Sequence, residues 1–258
     1  MLLLAMVACS TPPEAPAELD ALIGYLFSHA MDEDPAALQV GATNLDAWMD
    51  ARLDETLEGY AVNVLDEATL DGLDDSDRSA EGLVGAAVGH VSPYNALDLV
   101  ATVLVTPPTE RDPETTIAHE SDLDIAERDC FLSRECGSLQ YTSQATDNFA
   151  LGLQVTSTNN VQYRWFDTAD GETALIQRTW LAEQPQVNFD WLEVVAQYYV
   201  WVSLPFEGGT RNMYAMWALT RITGNDVPED LALSLAIDGM AGGGDRLDAW
   251  IDEHPPSW

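Results

Sequence analysis

The chain has 258 residues, 47% of them hydrophobic, which is enough apolar material for a packed core and excludes wholesale disorder. Against 44 acidic residues stand ten Arg and no Lys, a formal charge of −34. That charge repels phosphate backbones and anionic headgroups, so nucleic acid is excluded as a partner, and the acid is expected to form a solvated surface.

The first residues, MLLLAMVACS, hold an apolar run too short to span a bilayer, which takes about 20 residues. A short apolar segment ending in small residues predicts an export signal over 1–8. Met6-Val7-Ala8-Cys9 resembles the lipobox of bacterial lipoproteins, with Met6 where that pattern usually has Leu, and no Lys or Arg precedes the run. The resemblance implies lipidation at Cys9 and a membrane contact made through the anchor. Ser10 after it implies the outer membrane of the cell envelope. Residues 9–17, rich in Pro, are expected to be a tether outside the fold. The other two cysteines, Cys130 and Cys136, form an even pair suited to an oxidising compartment. A disulfide there would stabilise the fold by about 2 kcal/mol. Zinc is disfavoured, because two thiolates and the distant His119 do not make four ligands.

Residues 18–82 are predicted to be a helical N-terminal region and 83–254 an α+β sheet domain, the length allowing one large domain or one domain with a helical extension. Leu19, Leu22, Ile23, Leu26 and Phe27 recur at helical spacing, and that helix should stop before Pro35. Asn44 is expected to cap a second helix carrying Leu45, Trp48, Met49, Leu53 and Leu57. Residues 66–82 read as an acidic connector. Asp75 to Glu81 imitates the start of a calcium loop, but Ala80 and Ala86 replace the Gly and Glu that its geometry needs.

A strand is expected from Leu83 to Val91, then a helix capped by Ser92-Pro93 and carrying Leu97, Val100, Ala101 and Leu104. A strand over 99–105 is the rival reading of its valines. Further strands are predicted at Thr115 to Glu120, Ser138 to Ser143, Phe149 to Ser157 and Gln162 to Asp167. A hairpin at Asp170-Gly171 leads into Thr173 to Glu183. Trp191 to Leu204 has apolar residues at all its even positions and a mixed set at its odd ones, so one face belongs in a core and the other meets something partly polar. Thr210 to Ile222 follows, then a helix with Asp226 and Glu229 as a capping box. Gly242-Gly243-Gly244 should cost that helix about 3 kcal/mol and break it, with Asp245 recapping the last turn.

This order, α+β with N-terminal helices before a mostly antiparallel sheet and a C-terminal helix, resembles the helix-grip arrangement of the START-like and polyketide-cyclase-like superfamily. The resemblance covers residues 83–252 and rests on element order, so no binding residue is carried over from it. It implies a curved sheet wrapping the C-terminal helix around an apolar cavity. The late strands concentrate aromatics and two arginines, and Arg164, Arg178, Trp180, Tyr199, Trp201, Tyr214 and Trp217 are the candidate ligand-binding residues. Either arginine would suit a carboxylate or phosphate. The competing reading packs these aromatics into an ordinary core and pairs the arginines with nearby acids.

The four histidines sit in no metal or triad spacing, and no P-loop, GxGxxG or GxSxG occurs. No catalytic residue, metal or cofactor is therefore expected. The sequence predicts a non-enzymatic envelope lipoprotein binding an apolar or lipid-like molecule. The alternatives are an interaction lipoprotein with a filled core and a hydrolase using dispersed carboxylates.

Overall fold

The computed structural model describes residues 14–52, 59–73, 80–149 and 152–256. The export segment with Cys9 and most of the calcium-like stretch lie outside the described residues.

The first helix, α1 (Leu19–His29), buries the five residues its spacing selects: Leu19, Leu22, Ile23, Leu26 and Phe27. Helix α2 (Ala36–Ala51) begins eight residues before the expected cap. Pro35 presets the entry, and Asp34 Oδ1 accepts from Ala36 N at 3.0 Å. Asn44 is therefore mid-helix. Its Nδ2 donates to the carbonyls of Ala15 and Pro16 at 3.0 and 2.9 Å, which draws the end of the Pro-rich tether onto the fold. A short strand, β1 (Tyr60–Val62), and a single turn, α3 (Glu67–Asp71), lie before and within the region read as a connector.

Strand β2 (Val84–Ser92) leads to α4 (Ala96–Val105), so the helical reading of the valines holds. Asn95, not Ser92, caps it, accepting from Asp98 N at 3.0 Å. After α5 (Pro108–Arg111), β3 (Thr116–Ser121) and α6 (Ile125–Leu132) come the long strands β4 (Ser138–Asn148) and β5 (Gln154–Asp167). The two strands expected between 149 and 167 are thus largely one. Strands β6 (Thr173–Leu181), β7 (Gln186–Val187), β8 (Leu192–Phe206), β9 (Gly209–Ile222) and β10 (Asn225–Asp226) precede the final helix, α7 (Glu229–Glu253). Cys130 and Cys136 are joined by a disulfide that staples the end of α6.

The strands form one open antiparallel sheet in the order β1-β2-β9-β8-β6-β5-β4-β3, with β10 on β9 and β7 on β5. The α+β fold with an antiparallel sheet and a C-terminal helix is the expected one. Less expected is that both faces are covered. Helices α1 and α2 share a core with Ile176, Tyr198, Val200, Val202 and Trp217 on one face. Helices α4, α6 and α7 meet Tyr163, Trp165, Trp201 and Tyr214 on the other. A bulge between Val194 and Ala196 shifts the register of β8, so Val194 leaves the face that the even positions from Ala196 onward occupy.

Helix α7 runs unbroken through Gly242-Gly243-Gly244, against expectation. At Gly244 a Cβ would stand 3.0 Å from the His90 ring, so glycine there lets the helix press against β2. Asp248 then bridges the two elements. One oxygen meets His90 Nε2 at 2.8 Å and the other accepts from Ser92 Oγ at 2.7 Å. Tyr94 OH donates to Asp252 one turn further on. The capping box does not form, because Asp226 pairs with Arg221 Nε at 2.9 Å.

On the opposite face Arg211, its side chain 4% exposed, carries ion pairs to Asp46 and Asp50 of α2. Removing both acids strands a buried cation, a change that costs on the order of 3 kcal/mol. The double variant Asp46→Asn/Asp50→Asn should therefore unfold at markedly lower urea, with an unchanged slope in equilibrium denaturation.

Candidate functional site

Strand register builds the site. Leu139, Tyr163, Gln177, Trp201, Tyr214 and Val88 lie side by side across β4, β5, β6, β8, β9 and β2. Two residues along, Tyr141, Val161, Thr179, Tyr199, Met216 and Ala86 form the next row of the same face. Trp201 is fixed at its edge, where Nε1 donates to Asn212 Oδ1 at 2.9 Å. The Tyr214 ring lies 6.1 Å from Trp201 and 6.4 Å from Tyr199, centroid to centroid.

Helix α7 crosses this aromatic wall without filling the space before it. Ala232, Ala236, Gly239 and Gly243, spaced at four, three and four residues, all border a cavity of about 680 Å³. A Cβ added at Gly239 or Gly243 would meet nothing within 4 Å. Met216, Met240 and Val194 complete the apolar lining, and the exposed side chains of Leu235 and Phe149 stand at its rim. The dimensions and lining suit a small apolar molecule.

At one end the character changes. A second chamber of about 510 Å³ shares Val103, Pro108, Arg111, Thr116 and Gln177 with the first. It continues past His119, Tyr141, Ser143, Asp147 and Tyr163. Burial pushes the Tyr141 hydroxyl up to about 12, and those of Tyr163, Tyr199 and Tyr214 are raised for the same first reason. Burial, then the charge of Arg111, holds His119 below its ordinary value. Burial raises the Asp147 carboxyl, opposed by a 2.7 Å hydrogen bond from Thr116 Oγ1.

Of the seven candidates, Tyr199, Trp201 and Tyr214 line the cavity. The structure moves Arg164, Arg178, Trp180 and Trp217 off it, because strand alternation turns them to the face that α1 and α2 cover. Trp217 Nε1 donates to Asn63 O at 2.8 Å. Arg164 donates to the carbonyls of Asp32 and Glu33, just beyond α1. Arg178 donates to Gln162 Oε1 at 2.7 Å and to Phe27 O at 3.3 Å, and lies over the Phe27 and Trp180 rings. Burial lowers its pKa to about 10. Both arginines thus satisfy carbonyls at and beyond the end of α1. Arg178 and Trp180 also border a polar surface depression with Gln140 and Gln162. The cavity residues missed in sequence are Arg111, Gln177, Gly239 and Gly243. The small-residue spacing 232, 236, 239, 243 was the readable signal for the last two.

No protein-family model matches the chain, and no curated protein matches it in sequence. Among solved structures it is similar to a STAR-related lipid transfer protein from Xanthomonas axonopodis, with 16% identity and a TM-score of 0.40 over 67% of this chain and 94% of that one. It is also similar to the Zhui aromatase/cyclase from Streptomyces sp. R1128, with 15% identity and a TM-score of 0.40 over 66% and 93%. A START superfamily protein from Mycobacterium smegmatis aligns at 11% identity and a TM-score of 0.39 over 66% and 97%.

The raised tyrosines make the site sensitive to alkali. A hydroxyl whose pKa is higher folded than unfolded contributes stability below the unfolded value, 10, and loses it as pH rises through the folded one. The urea midpoint should fall steeply from pH 10 to beyond 12, with tyrosinate absorbance appearing together with unfolding. Full tyrosine ionisation near pH 10 in protein that stays folded would contradict this burial.

Proposed function

We propose that the protein is a non-enzymatic carrier or receptor for an apolar, lipid-like molecule held between the sheet and α7. The observation that carries this reading is the unfilled cavity of about 680 Å³ walled by Tyr199, Trp201, Tyr214, Met216 and Met240. Glycine inside a helix costs roughly 1 kcal/mol relative to alanine, and Gly239 and Gly243 face open space. Larger residues would strengthen the helix and close the chamber, so the small ones are explained by the space they leave. A protein with a filled core has no such need.

The hydrolase alternative asks for paired free carboxylates in the cavity. Asp112 and Asp226 do line it, but Asp112 meets Arg246 Nε at 2.8 Å and Asp226 meets Arg221 Nε at 2.9 Å. Each is thus engaged by an arginine and the two do not form a shared acid–base pair.

As for place, we propose the cell envelope, with Cys9 lipidated and the outer membrane as the attachment site. The Cys130–Cys136 disulfide supports an oxidising compartment. The mature chain would then hold its ligand close to a membrane without relying on its own acidic surface for attachment.

The test is binding of the uncharged apolar dye N-phenyl-1-naphthylamine, read by energy transfer from tryptophan. The native chain should bind it saturably. The double variant Gly239→Leu/Gly243→Leu should bind at least about tenfold more weakly while keeping or raising its thermal midpoint. Equal binding by the two proteins, or none by the native chain, would overturn the reading.

A further inference from the structure

Arg111 stands where the two chambers meet and has no direct ion-pair partner, the charge of Asp112 reaching it only from beyond contact distance. Nη1 is enclosed without a hydrogen-bond partner. Its neighbour Asp112 is engaged by Arg246. Among the described residues, no carboxylate comes within ion-pair distance of the Arg111 side chain. The contrast with the other enclosed arginines is sharp, since Arg211 has two aspartates and Arg178 has Gln162 and Phe27 O. Burial lowers the pKa of Arg111, but a guanidinium keeps its charge in proteins. An enclosed cation without a contacting counter-charge is costly, and an arriving anion relieves that cost.

The surroundings define the anion. Among the described residues Arg111 is the only arginine lining both chambers. Arg246 in the first is paired with Asp112, Arg128 in the second with Asp129, and the nearby His119 is biased to its neutral form. Asp147 also lines the inner chamber and disfavours a second negative charge. Gln177 lines both chambers with Arg111, and its register partner Trp201 carries the lining of the first chamber into the aromatic wall. A flat, singly charged group fits the guanidinium fork, and an unbranched apolar body fits the wall behind it.

We propose that the ligand of this cavity is a long-chain monocarboxylate whose carboxylate is bound by Arg111 and whose chain lies against Trp201, Tyr199 and Tyr214 beneath Gly239 and Gly243. The proposal rests on the cavity being a binding site, and it adds the charge and polarity of what enters.

The experiment displaces N-phenyl-1-naphthylamine from the full chain with palmitate, methyl palmitate, hexadecyl phosphate and acetate, in the native protein and in Arg111→Met. Palmitate should displace the dye at least about tenfold more effectively than its methyl ester, the scale of one charge-assisted interaction. Acetate should be ineffective. In Arg111→Met the gap between palmitate and ester, each read relative to that variant's own dye affinity, should close, and the ligand-free thermal midpoint should rise because an enclosed, uncontacted charge is gone. Equal displacement by palmitate and ester from the native protein would overturn the carboxylate assignment and leave the apolar cavity standing. So would stronger displacement by hexadecyl phosphate. A palmitate preference that survives in Arg111→Met, or a lowered midpoint in that variant, would overturn the role of Arg111. Displacement by acetate would overturn the requirement for a chain. Absence of dye binding by the native protein would instead remove the cavity reading itself.

Discussion

The seating of α7 on β2 is the constraint on which the site depends. Asp248 touches both His90 and Ser92, and Gly244 allows the helix backbone close to the His90 ring. These contacts lie in the C-terminal half of the helix. Its N-terminal half carries Ala232, Ala236 and Gly239, joined by Gly243 just past the middle, over the aromatic wall and leaves space beneath. The pocket opens to solvent at its rim, and it stays unfilled because the facing residues of α7 are too short to reach the wall. A close fit at one end and small side chains at the other keep the cavity open.

The second constraint is the covering of both sheet faces. A sheet with one wet face shows alternation of apolar and polar residues, and β8 departs from that because each of its faces meets a helical layer. Its even positions from Ala196 onward are sealed under α1 and α2, and its odd ones line the cavity or its edge. The sheet is thereby stiffened from behind, and the wall made by Tyr199, Trp201 and Tyr214 rests on a packed layer instead of solvent. The charge distribution follows the same division. Arg164, Arg178 and Arg211 bind α1, the segment after it and α2 to the back of the sheet through hydrogen bonds and ion pairs.

Periodicity in the chain carried much of this. The apolar face of α1, the helical nature of α4 and the antiparallel run of late strands were all legible, because each depends on local spacing and on its own burial. The two-faced character of β8 was legible as well. What was not legible was which helices would cover which face. Arg178 and Trp201 look equally suitable for a pocket in one dimension, and only their opposite parity across β6 and β8, once the register is known, sends one to α1 and the other to the cavity. The Val195 bulge hides this further, since it reverses parity within a strand that reads as unbroken alternation. The glycine triplet misled for a related reason. Propensity counts the cost of glycine to an isolated helix, whereas here tertiary contacts hold the helix and the missing side chains serve its two neighbours, His90 and the cavity.

Arg111 was the least visible residue of the site, and the reason is physical. A buried arginine is ordinarily recognised by its partner, as Arg211 is by Asp46 and Asp50 placed one helical turn apart. In a chain with 44 acidic residues, a partner for any of ten arginines should be easy to find. An enclosed guanidinium that meets none of them is therefore more informative here than in a protein of balanced charge. Of the acids that line the two chambers, Asp112 pairs with Arg246 and Asp147 accepts from Thr116. An uncontacted positive group thus stands inside a molecule that is strongly negative outside. An anion approaching such a protein is repelled at long range, and the apolar contacts of the wall must supply the affinity that brings it in. A small anion gains nothing from that wall. An anion carrying a long apolar chain does, so under the proposed assignment the surface charge and the half-buried arginine would together select amphipathic molecules over simple salts.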